Sequence, residues 1–171
     1  MSRIELTRGD MVIGSLRRRH VPVVSTLVAI LVPIVPIVAT SLWIPHISFL
    51  VLLSWRLLRP EIWPAWVALP LGLLDDIVAG QPLGQSMALW TITFLLLDLV
   101  ESRAIFRDWW MDWLLAAVLI AVHSAGTWAI ANMMGTLVPA AAVWPQFALS
   151  VCCFPLVARV VVALDRWRLG R

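Results

Sequence analysis

The sequence predicts an all-α fold: a polytopic transmembrane bundle of six helices with both ends in the cytoplasm. Three observations carry that reading. Of 171 residues, 61% are hydrophobic and 13% charged, with a mean hydropathy of +0.92. A soluble domain is about half apolar and about a quarter charged, so this chain has too few polar side chains to cover a water-facing surface. The apolar excess also falls in long blocks, several near the ~17–25 residues that span hydrocarbon. Finally, charge is confined to alternate connections between those blocks.

In chain order, residues 1–21 form a basic cytoplasmic segment with Arg3, Arg8, Arg17, Arg18 and Arg19. Residues 22–164 form the transmembrane domain, and 165–171 a short basic tail. The first span runs from about Pro22 to Trp43. Pro33 and Pro36 predict a kink in it, because proline removes a helical hydrogen bond and crowds the preceding turn. Its apolar region exceeds the ~7–15 residues of a signal-peptide core, so it is expected to be retained despite Ala39-Thr40-Ser41 at its far end. Span two, about His46 to Leu58, is short. Span three covers about Trp63 to Ala79, span four Gln85 to Val100, span five Trp110 to Met134, and span six Ala142 to Leu164.

Orientation follows from the connections. On one side stand Arg56, Arg59 and Glu61, then Glu101, Arg103, Arg107, Asp108 and Asp112, then Asp165, Arg166, Arg168 and Arg171. The opposite connections, 44–45, 80–84 and 135–141, carry no charge. Basic residues mark the cytoplasmic side. Without the short second span they would fall on both sides, so six crossings are expected. Tryptophan agrees: Trp55, Trp63, Trp66, Trp109, Trp110, Trp113 and Trp167 are expected at the inner boundary, and Trp43 and Trp144 at the outer one. Indoles favour the headgroup zone. Trp90 and Trp128 are expected deeper, as packing residues. Ala121, Ala125 and Ala129 recur every fourth position, a strip that permits close helix approach.

Several functions are excluded or left without support. All 13 basic residues are arginines, gathered at segment ends where they contact anionic lipid headgroups; no nucleic-acid partner is expected. Cys152 and Cys153 are adjacent in an apolar run and point in different directions on a helix, so they read as packing residues. No CxxC, HExxH, P-loop or GxGxxG pattern occurs, and no cofactor, metal or catalytic residue is expected.

The chemical information lies in the few polar groups inside the spans. A carboxylate at the centre of a span costs about 2.5–3.5 kcal/mol on the insertion scale. Asp75 and Asp76 fall in the outer third of span three, ahead of Gly80-Gln81-Pro82-Leu83-Gly84, a connection short enough only for a tight helical hairpin. The first N–H groups of span four have no partners in their own helix, and that end carries partial positive charge. Asp75 or Asp76 is therefore expected to accept those hydrogen bonds across the turn, with Gly84 letting the backbones approach. A proton or substrate site and a partner-binding site are the alternatives for the pair. His123 and Thr127 share a face of span five, the histidine reading as a neutral, hydrogen-bonded packing residue rather than a ligand. Asp98 and Arg159 lie near the inner ends of spans four and six, as a candidate pair that spacing alone does not establish.

The stretch from Pro70 to Leu89 resembles the signature of the rod shape-determining protein MreD family: Gly-x-x-x-Asp, a short turn with Pro-Leu-Gly, then a helix start of small residues. Gly72, Asp76 (with its neighbour Asp75), Pro82, Leu83 and Gly84 carry the likeness. The layout is similar over nearly the whole chain, but only Arg59–Leu89 is specific. The resemblance implies a non-enzymatic inner-membrane subunit of the bacterial elongasome, scaffolding peptidoglycan synthesis and cell-shape control. Its implied partners are MreC, the actin-like MreB and the glycosyltransferase–transpeptidase pair of the lateral wall. The implied fold resembles the substrate-binding subunits of ECF-type vitamin transporters. Six spans with outer-side polar groups leave a vitamin-binding transporter subunit as the alternative function. A lipid-modifying enzyme using Asp75 and Asp76 is a third, but the further partners of such magnesium sites are missing.

Overall fold

The computed structural model of the chain describes residues 8–34, 45–101 and 109–169. Among them are six α-helices and no strand. These are α1 (Arg8–Leu31), α2 (Ile47–Leu58), α3 (Ala68–Ala79), α4 (Gln85–Glu101), α5 (Trp109–Met133) and α6 (Val143–Leu169). Expectations for Pro36, Trp43, Arg103, Arg107, Asp108 and Arg171 lie outside the described residues.

Proline sets several boundaries. The α1 helix ends at Leu31, and Pro33 sits in a 3-10 turn over Val32–Ile34. The kink expected at Pro33 is thus a helix end, because the Pro33 nitrogen has no hydrogen for the carbonyl four residues back. Pro22 lies within α1, where its carbonyl accepts the hydroxyls of Ser25 (3.0 Å) and Thr26 (2.9 Å). Pro60 opens a 3-10 turn after α2. Pro70 is tolerated in the first turn of α3, where an N–H would have no helical partner.

The helices form a ring around one centre. Packing runs α3–α4–α5–α6–α1 and back to α3, while α2 packs along α1 and α6. Side chains of α2 reach the other three, through Phe49 to Trp90 and His123 and through Ser48 to Asp75. Eight of its 12 residues are buried, enough to cover every face of the helix. At 1.5 Å per residue it is about 18 Å long.

The outer ring inverts the soluble pattern. Val24, Leu73, Ile77, Leu95, Leu114, Val118 and Leu156 are exposed, whereas Thr26, Ser48, Ser54, Thr93, Asp75 and Asp76 are buried. Two elements, Trp110–Met133 and Ala140–Leu169, are long and apolar enough to cross a membrane, and only 22% and 17% of their most apolar windows are buried within the chain. A core helix of a soluble protein would be mostly covered. These helices present their apolar sides outward, as lipid contact requires.

Opposite the α3–α4 and α5–α6 turns, the bundle is tied by ion pairs. Arg56 pairs with Asp98, and its guanidinium lies 5.7 Å from the Phe94 ring centre. Asp165 accepts from Arg59 (3.1 Å) and Arg168 (2.7 Å). Hydrogen bonding to Asp165 raises Arg59 further above its ordinary value. Trp55 is fully buried beneath Arg168 and donates to Ser25 Oγ at 2.8 Å. It therefore belongs to the interior rather than to an interfacial belt, as does buried Trp63. Trp66, Trp110, Trp144 and Trp167 are exposed and Trp90 is buried, as the sequence predicts. Trp128 is not a deep packing residue: it is part-exposed and donates to the Val138 carbonyl at 2.9 Å.

Candidate functional site

The α3–α4 hairpin is the most extensive helix contact among the described residues, and Gly72 makes it possible. A Cβ added there would lie 2.5 Å from Met87 Cα, 2.6 Å from Met87 N and 2.8 Å from the Ser86 carbonyl carbon. All three are backbone atoms, so no side chain can yield. The close approach thus belongs to Gly72, not to Gly84, whose surroundings are open. Gly84 is needed for another reason: its φ of 95° lies where other residues are strained.

Asp76 closes both helices. Gly80 takes the left-handed conformation at the end of α3, and its N–H returns to the Asp76 carbonyl. Gln81 N–H reaches the same oxygen at 3.0 Å, the arrangement that satisfies orphan carbonyls at a helix end. The Asp76 side chain then starts α4. One carboxylate oxygen accepts Gly84 N–H at 2.8 Å, and the other accepts Ser86 N–H at 2.7 Å. Asp76 is fully buried, and its negative charge faces the positive end of the α4 dipole.

Asp75 points to a different neighbour. Its Oδ2 accepts the Ser86 hydroxyl at 3.0 Å, and buried Ser48 at the start of α2 stands beside the same carboxyl group. The pair therefore splits its work, Asp76 along the hairpin and Asp75 between the hairpin and the central helix. Pro82 contributes its carbonyl to Gln85 N–H at 3.0 Å. Leu83 stands at the tip, 75% exposed.

The remaining candidates separate into two places. His123 is buried, stacked on Phe49 at 4.1 Å and 11°, with His46 edge-on at 5.3 Å. Its Nδ1 and Thr127 Oγ1 are buried without a hydrogen-bond partner among the described residues; stacking, not the expected hydrogen bond, holds this face of the ring. Asp98 lies at the opposite end and pairs with Arg56 rather than with Arg159, which lines a separate groove. Sequence reading missed Ser48 and the Arg56 pairing. Arg56 lies two residues from the end of span two, a position that reads equally well as an orientation signal.

Chemically, this arrangement binds helices to one another. Both Asp76 oxygens are occupied by backbone donors and one Asp75 oxygen by the Ser86 hydroxyl, while Asp75 Oδ1 is buried without a hydrogen-bond partner among the described residues. Among the described residues, no three His, Cys, Asp or Glu side chains gather as a metal-holding group. Compared with known families, residues 17–162 match the model described as rod shape-determining protein MreD. Neither the curated proteins nor the solved structures give a match.

Proposed function

The chain belongs to the rod shape-determining protein MreD family, and from that premise we propose that it is a non-enzymatic scaffold of the cell-elongation machinery. The family gives it a role in rod shape determination within the cell-shape machinery. With two long apolar helices, it is a membrane protein. Our reading goes further. All six helices cross the inner membrane, with the arginine end cytoplasmic and the uncharged turns outside. The short α2 is accommodated because protein surrounds it on every side, and backbone at membrane depth needs partners only where lipid would touch it.

The observation that carries the scaffold reading is the use of the carboxylates. Three of the four carboxylate oxygens that looked most like chemistry accept hydrogen bonds that hold α3 and α4 together. The outside turns are too small to form a domain, so MreC and the glycosyltransferase–transpeptidase pair engage helix faces and the exposed hairpin tip at Leu83. MreB engages the arginine end, where charge complementarity favours an acidic surface.

Depletion in the source bacterium tests this. Rod-shaped cells should round up and lose lateral incorporation of wall precursor, and re-expression should restore both. Cells that stay rod-shaped with unchanged lateral incorporation reject the proposal. Purified protein that retains a vitamin would favour the transporter-subunit reading instead.

A further inference from the structure

Where α5 begins and α6 ends, the two helices stand apart and leave a groove of about 810 Å³. Its floor is the end of α2, at Ser54, Leu57 and Leu58, and its far wall is Phe154 and Ala158 of α6. These surfaces are apolar except for Ser54, which is occupied by the Leu50 carbonyl at 2.7 Å.

Two guanidinium groups face this apolar slot. Arg159 and Arg166 both line it, and seven residues of α6 between them amount to about 10 Å along the axis. Neither forms a hydrogen bond or ion pair among the described residues. Their neighbours on the same helix behave differently, since Arg168 and Asp165 are buried and bonded to each other. Asp112 also lines the groove, but it has an interaction of its own. The slot keeps two cations against one anion.

Depth makes the observation informative. Trp167 is exposed at this end of α6 and Trp110 at the facing end of α5, which marks the headgroup level. Arg159 lies about 9 Å closer to the membrane centre than Asp165. A guanidinium that deep is costly unless it reaches water or meets an anion. An arginine stem can snorkel toward the surface, and here that path runs along the groove to Arg166. Planar guanidinium groups bind phosphate oxygens through paired N–H donors.

We infer that this groove is a binding site for one anionic phospholipid of the leaflet at the arginine end. The phosphate sits between Arg166 and Arg159, and an acyl chain lies on Leu57, Phe154 and Ala158. The occupant is a lipid rather than a free phosphate because the floor and far wall are hydrocarbon and open toward the bilayer.

The test uses full-length protein, stripped of lipid in a neutral detergent and offered equal amounts of phosphatidylglycerol and phosphatidylethanolamine. Retained lipid is read by native mass spectrometry. Wild type should retain phosphatidylglycerol in excess. Arg159→Gln and Arg166→Gln should each cut that excess about fivefold, the factor one basic residue supplies at an anionic surface. Ala163→Trp, which fills the groove and leaves both charges, should abolish retention, and it decides the matter if the arginine variants fail to fold. Equal retention of the two lipids overturns the inference, as does unchanged retention in the double arginine variant. Displacement by stoichiometric glycerol phosphate would also overturn it, by assigning the site to a soluble anion. The readout needs no elongation partner and no particular orientation, so a negative result leaves the cell-shape proposal standing.

Discussion

Two turns lie at the same end of the bundle, 80–84 between α3 and α4 and 134–142 between α5 and α6. Each reverses the chain through glycine with positive φ: Gly80 and Gly84 in the first, Gly135 in the second. Their closures differ. In the first, a fully buried carboxylate takes two backbone N–H groups. In the second, a neutral amide does similar work in a half-exposed place: Asn132 Oδ1 accepts Val138 N–H at 3.1 Å, and its Nδ2 donates to the Trp128 carbonyl at 2.9 Å. Beneath the first turn the backbones touch at Gly72; beneath the second, Ala121, Ser124 and Ala125 line an open, largely apolar hollow. A charge is tolerated where it is completely coordinated and the helices cannot separate. A neutral clamp suffices where water competes.

The largest effect that would break this comparison is expected at Gly72. Two methyl groups at a position already 2.5 Å from a backbone atom must separate α3 from α4. Overpacking costs about 1–3 kcal/mol where side chains can adjust, and here they cannot, so Gly72→Val should exceed about 3 kcal/mol. The check is a denaturant titration in detergent micelles against wild type. Stability within error of wild type would mean that the hairpin contact is not a fixed element.

Asp76 comes next. Asp76→Ala strands two N–H groups that now bond to an ionised acceptor, each bond worth about 1.5–3 kcal/mol. Removing the carboxylate also relieves its burial cost, so a net loss of about 2–3 kcal/mol is expected. Asp76→Asn keeps one acceptor oxygen but turns a donor toward the other N–H, and should lose about half as much. The same titration ranks the three proteins. A stable Asn variant that fails to restore rod shape in depleted cells would give Asp76 a function beyond closing the turn.

Much of this was open to sequence reading, and the reasons are specific. Helix ends near Ala79, Gln85 and Met133 coincide with apolar-to-turn transitions at glycine and proline, where local chemistry decides. A carboxylate four residues before a tight turn, as Asp76 is before Gly80, points to the next helix start for the same reason. What stayed hidden depends on which helix is central. Trp55 has the composition of an interfacial residue, and only the ring of helices around α2 explains why it is buried. The partner of Asp98 was equally unreadable, because Arg56 and Arg159 both lie near the arginine end and only helix order brings Arg56 to it. The close approach that spacing suggested for Gly84 belongs to Gly72, since spacing gives neither the face on which a glycine sits nor its φ.

The smallest expected effect sharpens the comparison most. Gly84 and Gly135 have similar backbone angles, 95° and 86°, and open space around both, so alanine should add a similar strain of about 1 kcal/mol at either. Gly84, however, presents its N–H to Asp76, and any shift of the backbone there disturbs a buried charged hydrogen bond. Gly135 sits in a turn whose clamps are neutral and part-exposed, and its neighbour Met134 is exposed as well, so relaxation is cheap. Gly135→Ala and Asn132→Ala should therefore each cost about 1 kcal/mol or less, with Gly84→Ala above both in the same titration. If Asn132→Ala proves as damaging as Asp76→Ala, burial of the charge is not what separates the two turns.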